Sequence, residues 1–369
     1  MKSIAEVVAR HRVIICAGSG GVGKTTTAAA LAVYGAEQGR RTMVMTIDPA
    51  RRLADALGLR TLGNTARPVD IGGGSLDAMM LDQKGAWDAL VERYAPSDEV
   101  WRRILANRFY QHLSESFAGS QEYMAIEQLA ELHARQRYDL IVVDTPPTRH
   151  ALDFLDAPRR IAAFLDRQVI RWFIKPYFSA GWSTLRVVNR AAGSLLRRLE
   201  DATGIKALVE ISDFFNSMSG LFDGFEARVQ TVDKLLHSKQ TAFVLVTSPE
   251  EQVLGEAEEF CRQVAALEVP LRGVVFNRVQ REALGDWRRL DDAWLRELVG
   301  AAVKRGERAA RLVDNFLRYE TQAHGDQVRM EAFRRQLGGR PAVAVVPNFD
   351  QDLHDVAGLR RMIPHLVAA

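Results

Sequence analysis

The chain has 369 residues, of which 47% are hydrophobic and 26% are charged. This length and composition predict a globular protein with a large buried core, built as one large domain or as a domain with an insertion. The 49 basic residues nearly balance the 46 acidic ones. Because no block of like charges runs along the sequence, the charge pattern excludes a nucleic-acid-binding tail and identifies no partner by itself.

The N-terminal sequence and the two cysteines favour a cytoplasmic protein. Cys16 and Cys261 lie far apart in the sequence, and Cys16 stands in an apolar run where a buried free thiol is expected. No long apolar segment precedes His11 and Arg12, and no apolar run approaches the ~18 residues of a membrane-spanning helix. We therefore expect a protein that is neither exported nor integral to a membrane, so that any membrane association is peripheral.

The first predicted strand, 13–17, leads into a glycine-rich segment at 18–25 that fulfils the phosphate-loop pattern G-x-x-x-x-G-K-[ST]. Glycines let consecutive backbone N–H groups turn towards phosphate oxygens, and the helix that follows directs its positive end at the same charge. The pattern predicts a nucleotide as the ligand, with Thr25 also offering its hydroxyl to Mg²⁺. The predicted phosphate contacts are Gly20, Gly21, Val22, Gly23, Lys24, Thr25 and Thr26.

Six apolar runs along the chain read as strands. They are 13–17, 42–47, 140–144, 242–247, 271–277 and 342–346. The runs are nearly continuous in Val, Ile and Leu, as in strands whose two faces are both covered. The sequence therefore predicts an α/β fold of the P-loop NTPase type, with a mostly parallel, doubly wound sheet and a ligand site at the carboxyl ends of its strands.

Two aspartates at strand ends are the predicted catalytic residues. Asp48 follows the second strand, where a carboxylate can position water or the Mg²⁺ shell. An aspartate before Pro49 is equally typical of a turn or a helix N-cap, so both roles stay open. Asp144 ends four apolar residues, which is the Walker B arrangement that holds the metal from its second shell.

Helical periodicity dominates residues 158–240, where no strand-like run occurs. This pattern predicts a helical subdomain at 158–240, inserted into an ATPase domain formed by 1–157 and 241–369. The chain carries a single phosphate loop and no internal repeat. If two nucleotide sites are needed, a second chain must therefore supply one of them.

The first part of the predicted insertion interleaves basic and aromatic residues. Arg167, Arg171 and Lys175 recur at helical spacing, and Trp172 and Phe173 lie on the same predicted helix. One interpretation is a surface that accepts a hydrophobic helix or lies against anionic lipid. The other is that the aromatic residues form the core of the subdomain and the basic stripe is its solvated face.

Four segments resemble the arsenite-pump ATPases and the ATPases that deliver tail-anchored membrane proteins, a deviant-Walker group of the P-loop superfamily. They are GSGGVGKTTT, TIDPARRLADALG, VVDTPPTRHALDFLDAP and VVFNRV, and the similarity spans nearly the whole chain. The resemblance implies that Lys24 and Thr25 bind phosphate and Mg²⁺, and that Asp48 orients the attacking water. It also implies that Asp144 opens the second switch segment.

The resemblance further implies contacts to adenine by Asn277 at a strand end and by Pro347 and Phe349 in a later loop. It implies a Mg²⁺-dependent ATPase that works as an ATP-closed dimer, with an identical or a paralogous second subunit. The helical subdomains would then form one surface for a hydrophobic helix or a membrane-protein client. Two other functions remain as alternatives: an ATP-dependent small-molecule phosphotransferase and a surface-positioning ATPase.

The chain departs from the family pattern at several positions. Ser19 stands where the family has a second lysine that faces the partner's phosphates, which predicts slow hydrolysis by the chain alone. Arg51 and Arg149 replace a common histidine and a common glycine, and either of them, or Arg52, could supply the missing charge. The zinc-binding Cys-x-x-Cys of the targeting ATPases and the cysteine cluster of the metalloid-responsive pumps are both missing.

Overall fold

The computed structural model describes residues 3–48, 50–116, 120–146, 211, 214, 222–283, 293, 297, 307–339 and 341–368. The chain divides into two compact units. The first comprises Met1–Met79, Arg137–Ala151 and Lys239–Ala369, and the second comprises Met80–Gln136 and Leu152–Ser238. Among the helices in these described ranges, none has the length and hydropathy needed to cross a membrane.

An eight-stranded sheet forms the centre of the first unit. Its strands are β1 (Val13–Ala17), β2 (Thr42–Thr46), β3 (Arg67–Val69), β4 (Leu76–Met80), β5 (Leu140–Asp144), β6 (Thr241–Thr247), β7 (Leu271–Val279) and β8 (Ala342–Pro347). Their order across the sheet is β3-β4-β2-β5-β1-β6-β7-β8. Neighbouring strands pair in parallel along the series β2-β5-β1-β6-β7-β8, and β3 pairs with β4 in antiparallel fashion. The predicted mostly parallel sheet is therefore confirmed.

The six predicted strands all occur, with ends that differ by at most two residues, and β3 and β4 were not predicted. β3 has only three residues, one of which is Pro68. Proline cannot donate a ladder hydrogen bond and is therefore confined mostly to edge strands, and β3 lies at the edge of this sheet. A strand this short carries no hydrophobic periodicity that a sequence pattern could detect.

The helices follow the strands along the chain. They are α1 (Ile4–Arg10), α2 (Lys24–Glu37), α3 (Arg52–Ala56), α4 (Gln83–Tyr94), α5 (Asp98–Ala106), α6 (Arg108–Ser116), α7 (Ser120–Ala134), α8 (Phe222–Leu236), α9 (Glu251–Ala266), α10 (Glu307–Gln336) and α11 (Val356–Val367). Helices α4 to α8 belong to the second unit, and the others belong to the first.

The core of the first unit packs α2 closely against the sheet. Every residue of β1, β2, β5 and β6 is buried, as expected for parallel strands that are covered on both faces. The small residues of α2 allow a close approach: a Cβ atom at Gly35 would lie 2.4 Å from Leu140 Cδ2 on β5. The segment that joins β1 to α2 therefore connects a buried strand to a helix that packs against the sheet.

The second unit is helical in its described parts. The phenol of Tyr110 donates a hydrogen bond of 2.6 Å to Asp88 Oδ1, and Arg93 forms an ion pair of 2.7 Å with Glu131. This unit includes 80–136, which the sequence analysis placed in the ATPase domain. The basic and aromatic residues between 158 and 200 lie outside the described residues, so the predicted insertion at 158–240 and its surface stay predictions.

Candidate nucleotide-binding site

The phosphate loop connects β1 to α2, and two of its glycines are required by close packing. Gly18 has a φ of +148°, and a Cβ atom there would lie 2.0 Å from the carbonyl oxygen of Val246 on β6. Gly23 has a φ of +91°, and a Cβ atom there would lie 2.2 Å from Asn277 Nδ2. Neither position accepts a side chain without displacement of a neighbour, so the loop conformation depends on both glycines.

Lys24 begins α2 and is almost completely buried. Its side-chain amine donates a hydrogen bond of 2.7 Å to the backbone carbonyl of Ser19, within the same loop. Burial lowers the pKa of Lys24, while the nearby Asp144 carboxylate raises it. A phosphate group would offer the ammonium a charged acceptor in place of a neutral carbonyl.

Asp144 is the centre of the hydrogen bonds that join three parts of the site. Its Oδ2 accepts hydrogen bonds from Thr25 Oγ1 at 2.8 Å and from Thr46 Oγ1 at 2.9 Å. Its Oδ1 is buried and has no hydrogen-bond partner among the described residues. Burial raises the pKa of Asp144 to about 6, and the two threonine hydroxyls oppose this shift.

Two threonines of this cluster were missed by the sequence analysis. Thr46 ends β2 and is the register partner of Asp144 on β5. Thr145 follows Asp144, and its hydroxyl donates a hydrogen bond of 2.8 Å to the carbonyl of Cys16 on β1. Alignment of the starts of the two predicted strands, 42 with 140, would have brought Thr46 beside Asp144, which is the register that the structure shows.

Asp48 makes the predicted turn and also faces the site. Its Oδ1 accepts a hydrogen bond of 2.9 Å from the backbone N–H of Ala50, and its Oδ2 lies 3.3 Å from Arg52 Nη1. The Asp48 side chain is 15% exposed, whereas Arg52 is 62% exposed. The turn therefore holds the carboxylate in place, and each of its oxygens keeps a second lone pair for a further partner.

A cavity of about 330 Å³ opens beside the phosphate loop. This volume lies within the usual range for small-molecule sites. The residues that line the cavity are Gly21, Gly23, Lys24, Thr25, Thr26, Asp48, Arg52, Asp55, Ala56, Thr145, Arg278 and Leu353. The structure thus brings five of the seven predicted phosphate-loop residues and Asp48 to one cavity, whereas Gly20, Val22 and Asp144 are not among the lining residues. The lining also includes Asp55, Arg278 and Leu353, which the sequence analysis did not single out.

The residues predicted to contact adenine do not line this cavity. Asn277 is buried, and its amide donates a hydrogen bond of 2.8 Å to the carbonyl of Val22 in the phosphate loop. Pro347 ends β8, where it pairs in register with Val279. Phe349 packs against His365, with their ring centroids 5.9 Å apart. Their predicted contacts to adenine stay predictions.

The donor set suits Mg²⁺ held mainly by phosphate and water. Within the described ranges, no group of three or more His, Cys, Asp or Glu side chains could hold a metal ion. The proton of the Thr25 hydroxyl points to Asp144, which leaves an oxygen lone pair for a metal ion. The buried Asp144 Oδ1 without a partner can accept a hydrogen bond from the hydration shell. Mg²⁺ keeps several waters and takes few protein ligands, so these residues fit the ion.

A parallel sheet with a phosphate loop after a central strand, and with an aspartate at the end of the neighbouring strand, defines a P-loop nucleotide-binding domain. Residues 11–297 match the family described as "Anion-transporting ATPase", and the chain belongs to this family. The expected resemblance is thereby confirmed, and the enzyme is an ATPase. The match favours this activity over the phosphotransferase and surface-positioning alternatives.

Several relatives carry the name of an ATPase. The chain is 28% identical over 271 residues to ATPase get3 of Aspergillus terreus, a match that covers 73% of each chain. It is 26% identical over 275 residues to ATPase ASNA1 homolog 2 of Paramecium tetraurelia, covering 72% of this chain and 75% of the relative. It is 27% identical over 277 residues to ATPase GET3 of Phaeosphaeria nodorum, covering 73% and 76% respectively.

Proposed function

We propose that this chain is a Mg²⁺-dependent, cytoplasmic ATPase that acts as a nucleotide-driven switch in a dimer and captures a hydrophobic or membrane-associated client. One observation carries the proposal. Asp144 ties Thr25 of the phosphate loop to Thr46 at the end of β2, so the nucleotide site and both switch segments share one buried carboxylate. Membership of the ATPase family and the resemblance to client-delivering ATPases support the assignment of a client.

The phosphate loop and Lys24 bind the nucleotide. The backbone N–H groups of the loop surround the β-phosphate, and the start of α2 adds its partial positive charge. Lys24 exchanges the carbonyl of Ser19 for the β- and γ-phosphates, and this contact removes much of the disadvantage of a buried, unpaired ammonium.

Thr25 and Asp144 would hold Mg²⁺ when the nucleotide is bound. A bound ion would neutralise charge on the β- and γ-phosphates, which favours transfer of the terminal phosphoryl group to water. Thr25 would offer its hydroxyl oxygen, and Asp144 would accept from the hydration shell through Oδ1 while Oδ2 keeps both threonines in position. Asp144 therefore acts by orienting groups around the metal.

Asp48 orients the attacking water. Its carboxylate is fixed by the N–H of Ala50 and the guanidinium of Arg52, and both contacts leave lone pairs available. A carboxylate held in this way can accept a hydrogen bond from water beside the terminal phosphate without a large rearrangement. Loss of that phosphate removes the charge that orders the segments after β2 and β5, as in other nucleotide switches.

The dimer is tested by the molar mass of the full chain in solution. We expect multi-angle light scattering to give about twice the mass of one chain with Mg²⁺, ADP and aluminium fluoride, a transition-state mimic. Without nucleotide the mass should be that of one chain, or an average between one and two chains if a weaker dimer exchanges with single chains. Lys24→Ala is the matched control, and it should not respond to the nucleotide. A nucleotide-bound parent protein that stays a single chain, alone and with any paralogue, would contradict the dimeric switch.

The client is tested with a synthetic peptide of about 20 apolar residues that carries a fluorescent label. Binding measured by fluorescence anisotropy should be stronger with Mg²⁺ and a non-hydrolysable ATP analogue than with ADP. A scrambled peptide with alternating polar residues is the control. Equal affinity in both nucleotide states would argue against a switch that acts on a client, because a ligand shifts an equilibrium only by its difference in affinity.

A further inference from the structure

Arg278 lies in an irregular part of β7 that directs its side chain to the cavity. The register between β7 and β8 shifts between Phe276 and Val279, as in a β-bulge. Arg278 has a φ of +58°, in the left-handed region that residues with a Cβ atom rarely adopt. Bulges redirect side chains and occur often beside functional sites. Here Asn277 contacts the phosphate loop, and Arg278 lines the cavity.

Among the described residues, the guanidinium of Arg278 is the cavity-lining cation without a protein partner. Lys24 donates to the carbonyl of Ser19, and Arg52 pairs with Asp48. Arg278 is exposed, and no ion pair or hydrogen bond joins its guanidinium to another residue in the described part of the chain. An unpaired guanidinium in a cavity shaped for a polyanion is suited to a phosphate, which matches its planar set of N–H donors.

The strand order shows which end of the nucleotide Arg278 meets. Asp48 follows β2 and Asp144 ends β5, both on one side of β1, whereas Arg278 belongs to β7 on the other side. The phosphate loop follows β1, between these two groups. The terminal phosphate therefore lies towards the aspartates, and the nucleoside end lies towards β7.

We propose that Arg278 binds the α-phosphate, the phosphate nearest the nucleoside, and so sets the affinity of the site for ATP and ADP alike. The inference rests on the proposed function, because it requires a nucleotide in this cavity. A contact made equally in substrate and transition state changes binding and leaves the chemical step unaltered. Arg278 is thus a binding residue and not a catalytic one.

Calorimetric titration of the full chain with ADP and with a non-hydrolysable ATP analogue, both with Mg²⁺, tests this assignment. Arg278→Gly should raise the Kd for both ligands by the same factor of about ten. KM for ATP should rise in proportion, with kcat unchanged. Glu268→Gly is the matched control, since Glu268 has a φ of +57° and lies outside the cavity lining. It should leave both Kd values unchanged.

Thermal unfolding separates binding from a structural role. Glycine adopts left-handed backbone freely, so neither variant should unfold more than a few degrees below the parent without nucleotide. Arg278→Lys keeps a charge but loses the planar donor set, and its Kd should lie between those of the parent and Arg278→Gly. An unchanged Kd for ADP, or a fall in kcat alone, would overturn the assignment. Failure of the proposed function would look different, because the parent protein itself would then bind no ADP.

Discussion

The hydroxyl of Thr25 lies 2.8 Å from Asp144 Oδ2, although the two residues are 119 positions apart in the sequence. This hydrogen bond connects the start of α2 to the end of β5. The same oxygen accepts a second hydrogen bond from Thr46, so one buried carboxylate positions a metal ligand and fixes the end of β2. The other oxygen, Oδ1, is buried and has no hydrogen-bond partner among the described residues.

Asp144→Asn should stabilise the nucleotide-free protein at neutral pH. Burial raises the pKa of Asp144 from 3.8 to about 6, so folding favours the protonated carboxyl. The contribution of the protonated Asp144 carboxyl to the stability of the folded protein is complete below pH 3.8 and is lost as the pH rises through about 6. Because Asn does not ionise, the variant escapes this loss, and its free energy of unfolding relative to the parent should rise by about 2–3 kcal/mol between pH 4 and pH 7.

Urea unfolding of parent and variant at both pH values measures this difference. The comparison cancels the titration of every other carboxylate that the two proteins share. A difference in stability that is the same at pH 4 and pH 7 would mean that the Asp144 carboxyl is not destabilised by burial.

Lys24→Ala should abolish detectable ATP binding, with a Kd at least a hundred times that of the parent. The loop amides alone leave the charge on the β- and γ-phosphates poorly matched. Calorimetry with Mg²⁺ and a non-hydrolysable ATP analogue measures the loss. Lys84→Ala removes an exposed lysine whose ion pair with Asp88 lies within α4, and it should bind the analogue normally. Binding by Lys24→Ala at parental affinity would remove this lysine from the site.

Gly18→Ala should lower the free energy of unfolding by about 3 kcal/mol or more, because the added methyl group would meet a strand carbonyl that cannot move away. Gly39→Ala is a control for backbone conformation, since Gly39 has a φ of +81° but open space around it. It should lose only about 1 kcal/mol. Equal losses measured by chemical unfolding would show that the contact with Val246 is unimportant.

Ser19→Lys should speed hydrolysis by the purified chain. A cation supplied to the developing phosphate charge is worth ~10³–10⁵ in rate in enzymes that use an arginine finger, and a serine hydroxyl cannot replace it. We expect the parent to be slow and Ser19→Lys to raise kcat by a factor of ten or more in a phosphate-release assay.

The competing explanation is that Arg52, which lines the cavity, already supplies the charge. It predicts fast turnover by the parent and a large loss in Arg52→Ala, with little effect of Ser19→Lys. The same assay on both variants distinguishes the two explanations.

The parts of this site that are contiguous in sequence could be predicted, and those that depend on strand register could not. The phosphate loop and Asp144 are each recognisable within eight residues or fewer, because turn chemistry and strand ends leave local patterns. The contact between Asn277 and Val22 joins residues 255 positions apart and depends on how β7 aligns with β1. No local pattern contains that alignment.

Arg278 illustrates a different limit. Its left-handed backbone accompanies a register shift between β7 and β8, which depends on pairing between two strands and leaves no local sequence pattern. The predicted strand ended at 277, and the residue that lines the cavity is the next one. In the same way, Arg67–Val69 became a strand because β4 lies beside it, and not through its own propensity.

The most direct test of the nucleotide-driven switch is hydrolysis and binding by Asp48→Asn. We expect this variant to bind ATP with parental affinity and to release phosphate about 10²–10⁴ times more slowly, because an amide is a poor acceptor for the attacking water's proton. Asp70→Asn is a matched control, since Asp70 accepts from Gly72 N–H at 2.9 Å in the same kind of turn but lies outside the cavity lining. Parental turnover by Asp48→Asn would contradict a role of Asp48 in orienting the attacking water.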